Sequence, residues 1–380
     1  MNFMKRVLHI VGNMNMGGTE TYLMNIYRNI DREKLQFDFL TYGRIGEKDY
    51  YEDEIISLGG RVHKLPSISE MGYGGIVKNL RKVLKKAKYD AVHAHTMYNS
   101  GFAMIAAKKE NVPIRITHSH TTKKDLSASL KNKIYNKLMR SVINRKMTMC
   151  CACSKAAAEV MFTPEAIEKK YKFMGNSVDF TKYFAVTDEE IANVRKEFGI
   201  PEDAKVLGHV GRFGKSKNHS FAVDVFKEYT EKYDNDSYMI FVGDGDKKVR
   251  AAVEEKVKEY ELSDKVIFTG VRGDVPVIMG AMDVFVFPSV YEGLGIVLLE
   301  AQAAGLNCVV SENIQPEADL GIDMVHWINL SDGAEAWADE VHLQINSKVT
   351  DREYIKESIE NSSFKLEKVV NDFYKIYGVE

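Results

Sequence analysis

Cysteine is scarce, four in 380 residues, and three of the four crowd into the tetrapeptide CCAC (Cys150, Cys151, Cys153). No second Cys pair or suitably spaced His completes a zinc set around them, so they read as a buried strand in a reducing compartment. Long apolar runs are missing too. Nothing approaches the roughly 18 residues of a membrane span. The opening MNFMKRVLHIVGN holds an apolar stretch of about strand length with no small-residue cleavage site after it, so a cytoplasmic protein is expected. A dominant charge of one sign is absent as well: the net is −2. That balance hides an asymmetry. Residues 1–180 carry 30 Lys and Arg against 17 Asp and Glu, a net of +13, and residues 181–380 carry 22 against 37, a net of −15. Two halves of opposite charge suggest two domains that meet different partners.

What is present is an alternation. Short runs rich in Val, Ile and Phe alternate with helical patterns, the signature of parallel α/β units, and the pattern occurs twice. Strands are expected at RVLHIVG, QFDFLTYG, RVHKLP, DAVHAH, PIRITHSH, MTMCCACS and YKFMGN, and again at KVLGHVG, SYMIFVG, KVIFTG, DVFVFPS, CVVSE and MVHWINL. The stretch GNSVDFTKYF (175–184) separates the two sets. The expected organisation is a doubly wound, Rossmann-like domain over 1–178, a second over 179–362, and a helix over 363–380 that packs back on the first. Two such domains would hold a ligand in a cleft at the C-terminal ends of their strands.

Chemistry concentrates at a few strand ends. In FVFPSVYEGLGIVLLEAQAAG a strand ends at Pro288, a turn carries Glu292, and a helix is expected to open between Gly293 and Gly295. Glycines there let backbone approach a ligand, and the free amides of a helix start suit a phosphate. Glu300 lies eight residues beyond Glu292, about 12 Å if the chain between them is helical. In VLGHVGRFGKSKNHSF, Arg212 and Lys217 sit in a strand-to-helix loop where two cations can offset a diphosphate. The GKS at 214–216 is not a P-loop, because the required first glycine would fall at His209. GDGD (243–246) has a D-x-D spacing known from metal-diphosphate sites, yet sits at a strand-to-helix turn where Asp serves as turn or cap.

The first half offers weaker signals. Gly17 and Gly18, in VGNMNMGGTETYL, lack the G-x-G-x-x-G spacing of a dinucleotide loop and suit a backbone that closes over a phosphate. His93 and His95 end one strand and His118 and His120 the next; their alternation fits cleft-lining side chains, and no carboxylate nearby completes a metal set.

Taken in order, GNMNMGGTETYL, HAH, ITHSHTT, GNSVD, GRFGKSKNH, FVGDGD, VIFTGVRGDVP and FPSVYEGLGIVLLEAQAAGLNCVVS resemble glycosyltransferase family 4, retaining transferases of the GT-B fold, and among them those that build capsule and exopolysaccharide. The most specific element is the E-x7-E pair, Glu292 and Glu300. The resemblance implies that Glu292 contacts the donor sugar and Glu300 the nucleotide ribose. Arg212 and Lys217 would hold the diphosphate together with the backbone of Gly293, Leu294, Gly295 and Ile296. Val271 and Arg272 would meet the base, and Gly17 and Gly18 would close over the phosphates. A histidine at the end of the fifth strand would face the sugar, with His118 and His120 both aligning and His120 preferred. The implied donor is a nucleoside diphosphate sugar, of the UDP type, and the acceptor a glycan or a lipid-diphosphate-linked glycan. Neither metal nor cofactor is required, and no nucleic acid is expected. Rival classes are a GT-B epimerase or phosphorylase and a non-catalytic sugar-nucleotide-binding protein.

One segment points to a surface. Between Asp125 and Glu159 no acid occurs, while Lys131, Lys133, Lys137, Arg140, Arg145, Lys146 and Lys155 do. Leu130, Ile134, Leu138, Val142 and Ile143 fall at helical spacing among them. Two readings stand: a core-packed helix with a solvated basic face, or, over 127–147, a helix that meets an anionic membrane through residues such as Lys133, Lys137 and Arg140.

Overall fold

The computed structural model describes residues 4–43, 45–122, 129–347 and 351–379. Residues 123–128, and with them Asp125 and the first two positions of the 127–147 segment, lie outside the described residues. The chain forms two compact units, one of Met1–Ser177 with Leu366–Glu380 and one of Val178–Lys365. Among the described residues no helix is long and apolar enough to cross a membrane.

The first unit is built on seven parallel strands: β1 (Lys5–Ile10), β2 (Leu35–Tyr42), β3 (Val62–Leu65), β4 (Ala91–Ala94), β5 (Ile114–Ser119), β6 (Met149–Ala152) and β7 (Tyr171–Phe173). Their order is β3-β2-β1-β4-β5-β6-β7. The second unit repeats the scheme with β8 (Val206–Val210), β9 (Tyr238–Val242), β10 (Val266–Gly270), β11 (Val284–Phe287), β12 (Asn307–Ser311) and β13 (Val325–Ile328), in the order β10-β9-β8-β11-β12-β13. Helices cover these sheets, so the central strands are apolar almost throughout: Val7, Leu8 and Ile10 of β1 and Val284 to Phe287 of β11 are buried. Both units are Rossmann-like. In each, the strand order reverses once, between β1 and β4 and between β8 and β11, and loops at such a reversal are where open α/β sheets bind ligands.

The C-terminal stretch is two helices, Arg352–Asn361 and Leu366–Tyr377, rather than one continuous helix. The second belongs to the first unit. Its stripe of Val369, Val370, Phe373, Ile376 and Tyr377 joins the core formed with Val7, Phe37 and Phe39, and the Tyr374 hydroxyl accepts from the Asp31 amide at 2.6 Å. The five positions recur at three- and four-residue intervals, so one helix face carries all the burial.

The helix Leu130–Lys146 departs from the apolar face expected for it. Met139 and Ile143 are its buried residues, whereas Leu130, Ile134 and Leu138 are 75%, 61% and 57% exposed. The core-packed reading therefore fails for most of that stripe.

GDGD is held by packing and capping. The Asp246 carboxylate accepts from the amides of Lys248 and Val249 at 2.8 and 3.3 Å, which caps the helix Lys247–Glu259. Gly245 lies against the Phe213 backbone, where a Cβ would meet the Phe213 nitrogen at 2.7 Å. Gly243, at φ +131°, lies against the Gly211 carbonyl. Asp246→Ala is expected to cost about 1 kcal/mol in urea unfolding, the usual size of a lost cap. Gly245→Ala should cost about 1–3 kcal/mol as an overpacking change. A Gly245→Ala protein as stable as wild type would refute the close-approach reading.

Candidate active site

In the second unit the two loops at the strand reversal carry the site. After β8 the chain runs through Arg212 to Lys217 and enters the helix His219–Lys232 by way of Asn218, whose φ of 55° makes the sharp turn. After β11 it runs through Ser289 to Glu292. The two loops are tied together: the Val290 amide donates to the Ser216 carbonyl at 2.7 Å. Lys217 Nζ reaches Glu292 Oε1 at 2.9 Å, and the same oxygen accepts from Ser289 Oγ at 2.8 Å. The ammonium also lies 4.5 Å from the centre of the Phe287 ring. Lys217 is thus held between a carboxylate and an aromatic face, both favourable to a cation. Arg212 is exposed and, among the described residues, pairs with no carboxylate.

The glutamate pair does not lie on one helix. Helix Ile296–Ala303 begins later than the turn glycines, and Gly295 stands before it at φ +93°, a left-handed conformation that favours glycine. The eight-residue helical rise of about 12 Å therefore does not apply. Glu292 sits on the loop, and Glu300 in the helix's second turn. Leu294 is buried and anchors the loop beside the helix start. Glu300 shares a hydrogen bond with the Tyr183 hydroxyl. Burial raises its carboxyl above the usual carboxylate range, opposed by Tyr183 and then by Lys217 and Lys182. Burial and the nearby Glu300 carboxylate likewise raise the Tyr183 phenol.

Val271, past the end of β10, is 69% exposed. Arg272 beside it is committed elsewhere: its guanidinium pairs with Glu197 at 2.6 Å and with Asp274 at 2.7 Å. Any ligand contact from this loop would come from backbone rather than from that side chain.

In the first unit, Gly17 precedes the helix Gly18–Asn29 with an extended φ of −144°. A Cβ at Gly18 would meet no atom within 4 Å. The fold itself does not require glycine there.

The histidines lie together, and a fifth joins them. His9 of β1, His93 and His95 at the end of β4, and His118 and His120 at the end of β5 form a stacked array, with the rings of His118 and His120 4.0 Å apart. His9 Nδ1 bonds His95 Nε2 at 3.1 Å, and His95 Nδ1 bonds His120 Nε2 at 2.8 Å. At the far end the Tyr377 hydroxyl meets His93 Nδ1 at 2.6 Å and His9 Nε2 at 3.4 Å. Burial holds His9 and His120 down to about 3 and pushes His93, His95 and His118 well below their ordinary value, so the array is neutral at pH 7. His118 is fully buried, while His120 is half-buried and reaches the surface of the unit.

Three contributors escape a reading of motifs. Ser289 and Tyr183 are polar partners with no spacing to mark them. His9 did carry a signal, since β1 and β4 are neighbours in a doubly wound sheet of order 3-2-1-4-5 and RVLHIVG ends beside DAVHAH.

If the Lys217–Glu292 contact is a real coupling, a double-mutant cycle of Lys217→Met and Glu292→Gln should return about 0.5–3 kcal/mol in urea unfolding. Additive single effects would show that the two groups do not interact in solution.

Two family models cover the chain in succession, "Glycosyltransferase Family 4" over residues 16–182 and "Glycosyl transferases group 1" over residues 190–361. The putative glycosyltransferase EpsF of Bacillus subtilis is 34% identical over 377 residues, 99% of this chain and 97% of that protein. The capsular polysaccharide biosynthesis glycosyltransferase CapH of Staphylococcus aureus is 28% identical over 323 residues, 83% of this chain and 84% of its own. Among solved structures, Anabaena HepE in complex with UDP-glucose superposes with a TM-score of 0.78 at 17% identity, over 98% of this chain and 99% of that one.

Proposed function

The chain belongs to the family 4 glycosyltransferases, and we propose that it moves a sugar from a UDP-sugar to a glycan or lipid-diphosphate-linked acceptor, with retention of configuration, in surface polysaccharide assembly. The observation that carries this reading is the junction of Lys217, Glu292 and the helix start at Gly295 on the two loops of one strand reversal. UDP-glucose in HepE and the capsular role of CapH support the donor type and the setting.

As the glycosidic bond breaks, negative charge grows on the leaving diphosphate. Arg212, Lys217 and the amides from Gly293 through Ile296 meet that charge; groups oriented in advance of the reaction are the main source of such stabilisation. Glu292 contacts the sugar beside its reacting carbon, and its bond to Lys217 keeps it aimed. Glu300 receives the ribose hydroxyls, and backbone at Val271 and Arg272 meets the base. Gly17 and Gly18 allow the first helix to approach the phosphates. Of the two β5 histidines, His120 is the one exposed enough to face a sugar, and as a neutral imidazole it serves as a hydrogen-bond partner rather than a cation. With fixed cations at the diphosphate, transfer needs no divalent ion.

Turnover and UDP affinity should separate these roles. Glu292→Ala is expected to lower transfer at least a hundredfold while changing UDP affinity less than tenfold. Arg212→Ala should weaken UDP binding about ten- to a hundredfold, the size of a lost charged hydrogen bond. Wild-type transfer should persist in EDTA. Full transfer by both variants, or a loss in EDTA restored by Mg2+, would overturn the assignment.

The acceptor side draws on the exposed stripe of Leu130, Ile134 and Leu138, which Lys131, Lys133 and Lys137 flank. Beside it opens a cavity of about 400 Å³ whose lining includes Lys137, Arg140, Arg145, Lys169 and Lys170 and one acid, Glu165, which pairs with Lys169 at 3.0 Å. Apolar side chains within a basic field suit an anionic membrane surface, where each nearby cation contributes about 1 kcal/mol. Arg140 is a poor site for charge reversal, because its guanidinium donates to the carbonyls of Glu159 and Met161 at 3.0 and 3.3 Å. Co-sedimentation with anionic vesicles should occur at low salt, weaken at high salt, and fall at least tenfold in Lys131→Glu/Lys133→Glu/Lys137→Glu. Absence of binding at low salt would point to a soluble acceptor.

A further inference from the structure

The neutral histidine array contains groups that the transfer reaction does not use. His118 is fully buried, and neither ring nitrogen has a hydrogen-bond partner among the described residues. Buried polar atoms are nearly always partnered, and an orphan pair on one ring calls for a ligand to explain it. One donor atom from each of His95, His118 and His120 lies within 4.8 Å of the other two. We propose that these three imidazoles form a binding site for a borderline divalent metal ion of the zinc type.

The donor set selects the ion. Three nitrogen ligands without a carboxylate or carbonyl do not suit Mg2+ or Ca2+, which take oxygen. Imidazole suits Zn2+, Ni2+ and Co2+, and three histidines with an open fourth position is an established zinc arrangement. A ligating imidazole must be neutral, and this array already is. The 2.8 Å between His95 Nδ1 and His120 Nε2 needs to widen by about half an ångström for two Zn–N bonds of about 2.0–2.1 Å at a tetrahedral angle.

A second shell is in place. With His95 coordinating through Nδ1, its Nε2–H donates to His9 Nδ1 at 3.1 Å. His9 Nε2–H then points to the Tyr377 oxygen at 3.4 Å, whose own proton goes to His93 Nδ1 at 2.6 Å. That chain ends at His93, whose Nε2 has no partner among the described residues, and such outer partners fix the ligand's tautomer and orientation. The other compact set, His9, His93 and His95, is a weaker site because Tyr377 already engages two of its members. His95 and His120 are half-buried, so solvent has a route to the proposed site and not to the deeper set.

A metal here engages His120, the residue read above as facing the sugar. Its occupancy would therefore suppress transfer rather than assist it. That consequence rests on the proposed role of His120, whereas the binding site does not.

The full chain, treated with EDTA and freed of it, is titrated with Zn2+ against a chromophoric chelator, and with Co2+ for the visible absorption of a tetrahedral site. One ion per chain is expected, with affinity lowered at least tenfold in His120→Ala and in His95→Ala, and about ten- to a hundredfold in His9→Phe. Circular dichroism melts establish that each variant is folded, and His120→Ala, at a half-buried position, decides the matter if a buried variant is not. No stoichiometric binding, or binding undiminished in folded His120→Ala, overturns the site. Transfer by the wild type should fall as Zn2+ fills the site; one bound Zn2+ with undiminished transfer would overturn the role given to His120 and leave the metal site standing.

Discussion

In a parallel sheet every strand runs the same way, so the loops that leave its C-terminal edge are gathered at one side. Where the strand order reverses, the loops from two neighbouring strands turn to opposite faces and leave a space between them. Both units have one such place, between β1 and β4 and between β8 and β11. In the second unit Arg212 and Lys217 leave β8, Glu292 leaves β11, and the Val290–Ser216 hydrogen bond joins the two loops, while Val271 and Arg272 stand apart on the loop after β10. The first unit obeys the same rule. His9 and His95 come from the two strands flanking its reversal, and β5 adds His118 and His120 next door.

The two glutamates illustrate different electrostatic solutions. Glu292 has a cation and a hydroxyl on one oxygen, so its charge is compensated within the protein. Glu300 has a phenol as its hydrogen-bond partner, and its raised carboxyl records a burial that this bond does not fully offset. For an acid with a folded value above the unfolded one, the associated stability is present at low pH and lost as pH rises through the folded value. At neutral pH Glu300 therefore works against the fold. The two partners of Glu292, Lys217 and Ser289, are themselves loop residues.

The strands were legible because helices cover both sheets, which favours largely apolar runs, here of three to eight residues. All thirteen expected strands are present. The helix starts were less so. The turn at Gly293–Gly295 reads as one glycine-rich opening, and only the left-handed φ of Gly295 places the first helical residue at Ile296. The helix Leu130–Lys146 shows where periodicity fails. Leu130, Ile134 and Leu138 recur at helical spacing, yet the buried face is set by Met139 and Ile143, one position round the helix. Spacing identifies a stripe without saying what covers it. Arg272 fails differently: its position on the loop after β10 was legible, but its pairing with Glu197, 75 residues away in sequence, was not.

The C-terminal helix shows how far apart in sequence a cluster's supports can lie. Tyr377 stands 284 positions from His93 and 368 from His9, yet its hydroxyl links them. The same helix buries Phe373 against the rings of His9 and His93. Burial keeps the imidazoles of the array uncharged, with Phe373 and the Tyr377 hydroxyl closing round His9 and His93. Their folded values lie below the unfolded one near 6.5, so their contribution to stability is present above that value and lost as pH falls toward about 3. A helix that reads as a terminal amphipathic segment thus contributes Phe373 and Tyr377 to the surroundings of His9 and His93, and burial there lowers the values of both rings.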